Sequence, residues 1–330
     1  MRCLVTGASG FLGSHLVREL LECGHSFTVL LRTGSDAERL QDCLSQVSIV
    51  RGSLQDLTAL SQFLRNSPVD ATFHLVWSGV ISAARNNTTQ ITDNVNGSLD
   101  LWDVLRATGC STFIGADSQA EYGPYSGILH ENLPTAPVTA YGSSKLALCI
   151  LLKQLCALSK MRFVWLRLLS AYGPGDDESH MVPSLIRALL RDEKPALTAG
   201  EQIWDFLYVT DAASGFCAVL EGDVDGIFNL GSGSAVVLRE FIAKVRGCID
   251  PSLLLGIGEV PYRSDQCTAP RDEHIAPPCR DSSATRGSYL RRYRANDPVA
   301  QRSIRGLLRE RKHLKWMTVR PQKKGSCRCK

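Results

Sequence analysis

Short apolar runs alternate with amphipathic stretches along the first 266 residues of this 330-residue chain. The runs predict strands at residues 2–5, 27–31, 47–50, 71–76, 112–115 and 162–168. Between the first two, Leu12, Leu16 and Leu20 share one helical face beside Val17 and Leu21, which predicts a helix over residues 12–23. The same spacing predicts helices at 54–64, 94–107 and 140–158, then at 181–190, 211–220 and 238–245. Strand–helix–strand repetition of this kind predicts an α/β fold, a doubly wound parallel sheet with helices on both faces.

One turn in that pattern carries chemistry. Thr6, Gly7, Ala8, Ser9, Gly10, Phe11, Leu12 and Gly13 follow the first strand and open directly into the first helix. Glycines at three-residue spacing allow a tight turn and a close backbone approach to a pyrophosphate, at which the helix N-terminus points its free N–H groups. A dinucleotide is therefore expected on Gly7, Ser9, Gly10, Phe11, Leu12 and Gly13. The second strand ends in Arg32, where an acidic residue would bond the adenine ribose hydroxyls. A cation there favours a 2′-phosphate, so NADP is preferred to NAD on this mechanism.

Further along, Tyr141 and Lys145 stand four residues apart at the start of a predicted helix and so share one face. A nearby cation favours the phenolate, which would let Tyr141 shuttle a proton near neutral pH.

Taken with the glycine turn, these residues make the chain resemble the extended short-chain dehydrogenase/reductases, in the nucleotide-sugar epimerase/dehydratase branch. The resemblance extends to Phe73-His74-Leu75, Asn94 to Ser98, Ser118 to Pro124, Arg167 to Pro174 and Trp204 to Asp211. It implies a Rossmann body over residues 1–170 with returns near 203–230, and a small C-terminal substrate lobe over residues 171–266. It implies Ser118, Tyr141 and Lys145 as catalytic residues. Ser53, Leu54, Leu75, Val76 and Asn94, together with Tyr141 and Lys145, join the glycine turn and Arg32 in holding the cofactor. Ser118, Ser170, Trp204 and Arg263 are the residues it assigns to substrate. His15 and His74 fall at structural positions of the pattern, and His180 is left without a role. The activity implied is hydride transfer at a hexose carbon of a nucleotide sugar, C4 favoured, as a 4-ketoreductase or a 4-epimerase. The alternative is an inactive dinucleotide-binding or regulatory protein. The family also implies a homodimer, expected through the helices bearing Leu101, Trp102 and Leu105 and Leu148, Ile150, Leu151 and Leu152.

Three departures narrow this. Members that eliminate water carry an Asp-Glu pair after the catalytic hydroxyl residue; this chain has Gln119-Ala120, with Glu121 displaced, so dehydration is not expected. Trp204 stands where an Arg often meets the pyrophosphate, leaving Arg263 to serve. Ser170 replaces a frequent Asn.

Composition adds little for the body, with 44% hydrophobic and 21% charged residues, but the charge is split. Residues 267–330 hold twelve Arg and five Lys against five acidic residues, a net of +12, which leaves −8 for residues 1–266. Helical patterning stops there, so the segment reads as disordered or as translated in a wrong frame, with a divergent natural tail as the alternative. Its basic residues are not interleaved with stacking aromatics, so no specific nucleic-acid partner is expected. Cys327 and Cys329 lack the second pair a zinc site needs, and no metal is expected. Six of the twelve cysteines (Cys3, Cys23, Cys43, Cys149, Cys156 and Cys217) lie inside apolar patterns, as reduced thiols do. The apolar block at residues 146–152 is too short to span a membrane, and the N-terminus shows no secretory pattern. A cytoplasmic location without a membrane partner is expected.

Overall fold

A computed structural model describes residues 1–262 apart from Ser126, so Arg263 and the basic 267–330 segment lie outside the described residues. In chain order the strands are β1 (Arg2–Thr6), β2 (Ser26–Leu31), β3 (Ser48–Arg51), β4 (Ala71–His74), β5 (Thr112–Ser118) and β6 (Arg162–Leu168). They continue with β7 (Ser170–Tyr172), β8 (Ala196–Leu197), β9 (Ile203–Tyr208), β10 (Gly226–Leu230), β11 (Ala235–Val237) and β12 (Gly256–Ile257). The helices are α1 (Phe11–Glu22), α2 (Thr58–Asn66), α3 (Asn96–Ala107), α4 (Ala140–Ser159), α5 (Met181–Leu190), α6 (Val209–Glu221) and α7 (Leu238–Ile249).

The central sheet runs β10-β6-β5-β4-β1-β2-β3, every neighbouring pair parallel. From β1 the chain winds outward to β3, then returns to β4 and winds the other way. The crevice between the carboxyl ends of β1 and β4 is thus the switch point at which such sheets bind ligands. Alternation along a strand feeds two cores: β1 sends Cys3 and Val5 toward α1 and α6, and Leu4 toward α2, α3 and α4. A third cluster, from Tyr172, Leu185, Leu189, Phe241 and Val245, lies beneath β7, β9 and β11 in the smaller lobe.

The expected parallel sheet is present, with differences that have local causes. Helix α2 begins at Thr58 rather than at residue 54, because Ser53 and Asp56 exchange backbone hydrogen bonds at 3.1 Å and Asp56 Oδ1 accepts from Thr58 N. Residues Gln90–Val95 wind as a π-helix before α3 starts at Asn96. Strand β4 stops at His74, so Leu75 and Val76 turn into the crevice instead of continuing the sheet. Helix α4 is twenty residues of apolar composition, long enough to cross a membrane by length and composition, although the apolar block within it is short. Leu148, Cys149, Leu152 and Cys156 explain that composition, since all four are buried against the sheet.

Candidate active site

The glycine turn sits at the switch point. Gly7 has φ +74, and a Cβ there would meet Val76 N at 2.7 Å; one on Gly13 would meet Gly7 O at 2.1 Å. These contacts pack the start of α1 against β1 and β4 as closely as backbone allows. Gly10 caps α1 with no side-chain hydrogen bond, so the helix N-terminus keeps N–H groups for a ligand. That side-chain-free cradle fits a dinucleotide pyrophosphate. Arg39 closes one side, donating from Nη1 to Ser9 O (3.4 Å) and from Nε to Gly175 O (3.1 Å). Arg32 is exposed at the end of β2, and its carbonyl accepts from Arg51 Nη1 at 3.3 Å.

Other expected cofactor residues lie around the same crevice, with different uses for their side chains. Ser53 Oγ accepts from the backbone N–H of Gln55 and Asp56, both at 3.2 Å. Leu54 is buried, leaving no space for a Cβ on Gly97. The Asn94 amide bonds both backbone groups of Ser78, at 2.8 and 3.1 Å, and so shapes the loop after β4 rather than pointing a free end at a ligand.

At the end of β5 the chain joins Ser118 to the start of α4. Thr139 N-caps α4 by accepting from Gly142 N at 3.1 Å, and a Cβ on Gly142 would lie 2.5 Å from Ala120 O. That close approach brings the Tyr141 phenol beside the Ser118 hydroxyl, which accepts from Ala120 N at 3.2 Å. Burial pushes the Tyr141 phenol above its ordinary value, and Glu121 adds to this; the Ser118 hydroxyl and Arg85 pull the other way. The sequence pattern assigned a net lowering, and here desolvation outweighs the cation.

Lys145 is bonded to the sheet and to an aromatic ring. Its Nζ donates to Ala116 O at 2.7 Å and lies 3.9 Å from the centroid of the Trp77 ring, which is T-shaped to the Tyr141 ring. Burial pushes the Lys145 ammonium down to about 7, against the pull of Glu121. Gln90, fully buried, holds Trp77 by accepting from its indole N–H at 2.7 Å.

Behind Ser118 lies a buried polar network. The Trp165 indole N–H donates to Asp117 Oδ2 and, at 2.9 Å, to Glu121 Oε1; Arg167 Nε donates to Glu121 Oε2 at 2.6 Å. Arg167 also donates to the Tyr122 hydroxyl (2.9 Å), which donates to Asn229 Oδ1 (2.7 Å). Burial holds the Glu121 carboxyl above its ordinary value despite Arg167. His74 is a core residue, as expected. Ser98 donates to Asn94 O, so His74 Nε2 donates to Ser98 Oγ (2.8 Å) and Nδ1 accepts from Thr6 (3.0 Å). Burial pushes the His74 imidazole down to about 3, keeping it neutral. His180 pairs with Asp176 at 2.7 Å, and His15 contacts Pro174 O at 2.9 Å.

Ser170 on β7 and Trp204 on β9 lie in the small sheet β11-β9-β7, Ser170 opposite Phe206 and Trp204 opposite Val236, and the Trp204 ring packs on the lobe core. Arg85, Trp77 and Gln90 belong to no pattern in the sequence. The signal for the network was available: Arg167, following the apolar run Phe163 to Leu166 in a central strand, requires a buried partner.

The profile of the NAD-dependent epimerase/dehydratase family matches residues 3–231, and the chain belongs to that family. It is 25% identical over 268 residues to a UDP-glucose 4-epimerase of Corynebacterium glutamicum, covering 74% of this chain and 80% of that one. Two solved structures share the fold. A UDP-N-acetylglucosamine 4-epimerase of Methanobrevibacter ruminantium, in complex with UDP-N-acetylmuramic acid, has TM-score 0.79 and 22% identity over 93% of this chain and 97% of its own. A UDP-glucose 4-epimerase of Thermus thermophilus in complex with NAD has TM-score 0.75 and 23% identity over 94% and 98%.

Proposed function

We propose that this chain is a nucleotide-sugar 4-epimerase using NAD or NADP, and that it works by hydride transfer at the hexose C4. The observation that carries this is the Tyr141 phenol next to the Ser118 hydroxyl, at the carboxyl end of the sheet whose first strand leads into the glycine turn. When bound, the nicotinamide supplies a hydride acceptor and donor. Tyr141 takes the proton from the C4 hydroxyl and returns it to the same oxygen once the configuration at C4 has inverted. Ser118 donates to the same oxygen as charge develops on it. Lys145 would hold the nicotinamide ribose, and Gly7 to Gly13 the pyrophosphate. Ser170, Trp204 and Arg263 remain the residues proposed for the substrate. A 4-ketoreductase uses the same groups, and Arg32, by favouring NADP, is the observation that favours it. The intact Ser118–Tyr141 pair leaves the inactive reading without support.

We assign the Rossmann body to residues 1–170 with the returns near 203–230, and the substrate lobe to residues 171–266. Free thiols at Cys3, Cys43, Cys149 and Cys156 fit a reducing, cytoplasmic compartment.

The test is to incubate the full chain with NAD and UDP-glucose, UDP-N-acetylglucosamine or UDP-glucuronic acid and resolve the C4 epimers by NMR. Epimerisation is expected for one of them, lowered about 10²–10⁴-fold by Tyr141→Phe. No epimer from any of the three, with substrate and NAD both bound, would overturn the epimerase reading.

A further inference from the structure

Arg85 sits over the proposed proton shuttle. Its short helical turn, Ser82–Asn86, is tied to the start of α4 by Asn86 Oδ1, which accepts from Ala140 N at 3.1 Å. This tie holds the Arg85 guanidinium 4.8 Å from the centroid of the Tyr141 ring. Its Nε is shielded from solvent with no hydrogen-bond partner, and among the described residues no carboxylate pairs with it. The side chain is partly exposed, so the guanidinium can keep solvent on one side while it faces the ring on the other.

The groups around the phenol come from every side. Ser118 reaches it from the end of β5, Glu121 from the turn that follows, and Arg85 from the loop after β4. Lys145, on the phenol's own helix, is turned to the Ala116 carbonyl and the Trp77 ring. It also titrates near neutrality, at about 7, whereas a guanidinium stays charged at every working pH.

We propose that Arg85 is a positioning residue for the reaction, a permanent cation over the Tyr141 ring that stabilises the phenolate while Tyr141 exchanges a proton with the substrate. This rests on Tyr141 being the proton shuttle of the proposed function. The role is the one the Tyr-x-x-x-Lys pattern alone would give to Lys145.

The test reads Tyr141 directly and needs no turnover. Its near-ultraviolet phenolate signal is isolated by subtracting the spectrum of Tyr141→Phe and followed against pH in wild type, Arg85→Gln, Arg85→Met and Arg85→Lys. Arg85→Met keeps the packing of the side-chain stem while removing the charge. Both neutral variants should move the midpoint upward by about one pH unit, and Arg85→Lys should restore most of it. With an epimerisable sugar, the acid limb of kcat should move in parallel while KM stays unchanged, an activity loss of about tenfold near neutral pH. A Tyr141 signal that is the same with and without the charge overturns the proposal, as does a shift that Arg85→Lys does not reverse. A missing turnover alongside a shifted phenol would instead overturn the epimerase reading alone.

Discussion

Removing Arg167 should expose how the buried network supports the Ser118 segment. Arg167 and Glu121 are 3% and 0% exposed, and their bond at 2.6 Å is shielded from water. Charge centres about 4 Å apart at an effective dielectric of about 20 attract by about 4 kcal/mol. Deleting one partner of such a pair costs about 3–5 kcal/mol, because the other charge stays buried. Arg167→Met should therefore destabilise the fold by about 4 kcal/mol, a fall in Tm of roughly 6 °C for a chain of this size. The double variant Glu121→Gln/Arg167→Met should recover most of the loss, since a neutral amide still accepts from Trp165.

The pH dependence makes the test sharper. Burial already raises the Glu121 carboxyl, and losing Arg167 raises it further. A carboxyl raised in the folded state binds more protons there than in the unfolded chain. Stability then falls as pH climbs through that window, and the penalty vanishes below the unfolded value of about 4.5. The deficit of Arg167→Met, measured by denaturant titration followed by circular dichroism, should shrink as pH drops from neutrality toward that value. A deficit under about 1 kcal/mol, or one that ignores pH, would refute the reasoning.

Other perturbations test other parts of the molecule. Lys145→Met should be more stable than wild type near neutral pH. Its advantage should narrow as pH rises from about 7 toward 10.5, because the unfolded chain alone binds the lysine proton across that range; thermal melts at several pH values would show an advantage that instead widens if this is wrong. Arg32→Glu should weaken NADPH binding at least about tenfold and spare NADH in fluorescence titrations, and equal losses for both would remove Arg32 from the adenosine site. Of the residues expected to pair two copies, Leu101, Trp102, Leu105, Leu148 and Leu152 are buried inside the protomer, whereas Ile150 and Leu151 are 60% and 43% exposed; Leu158, further along the same helix, is 74% exposed. We propose a homodimer through that face of α4, which light scattering should detect and Ile150→Lys should dissociate; a monomeric wild type would exclude it.

Much of this protein is legible along the chain because its signals are local. Alternation in β1 and the three- and four-residue spacing of Leu12, Leu16 and Leu20 follow from how side chains leave a strand or a helix. The glycine turn is legible for the same reason, since close backbone packing excludes a Cβ at Gly7 and Gly13. The strands of the smaller lobe are not: β8 and β12 have two residues and β7 and β11 three, too few for any period to register.

The site divides in the same way. Helical geometry puts Tyr141 and Lys145 on one face, but helical geometry does not decide what each side chain touches. The Trp77 ring, held by Gln90, receives Lys145, while a turn from the loop after β4 brings Arg85 over the phenol. Glu121 and Arg167 stand 46 residues apart and meet only because β5 and β6 are neighbours in the sheet. Residue type and spacing determine which groups the chain offers. The protonation of those groups depends on burial and on charges from distant segments, and only the packed tertiary structure supplies both.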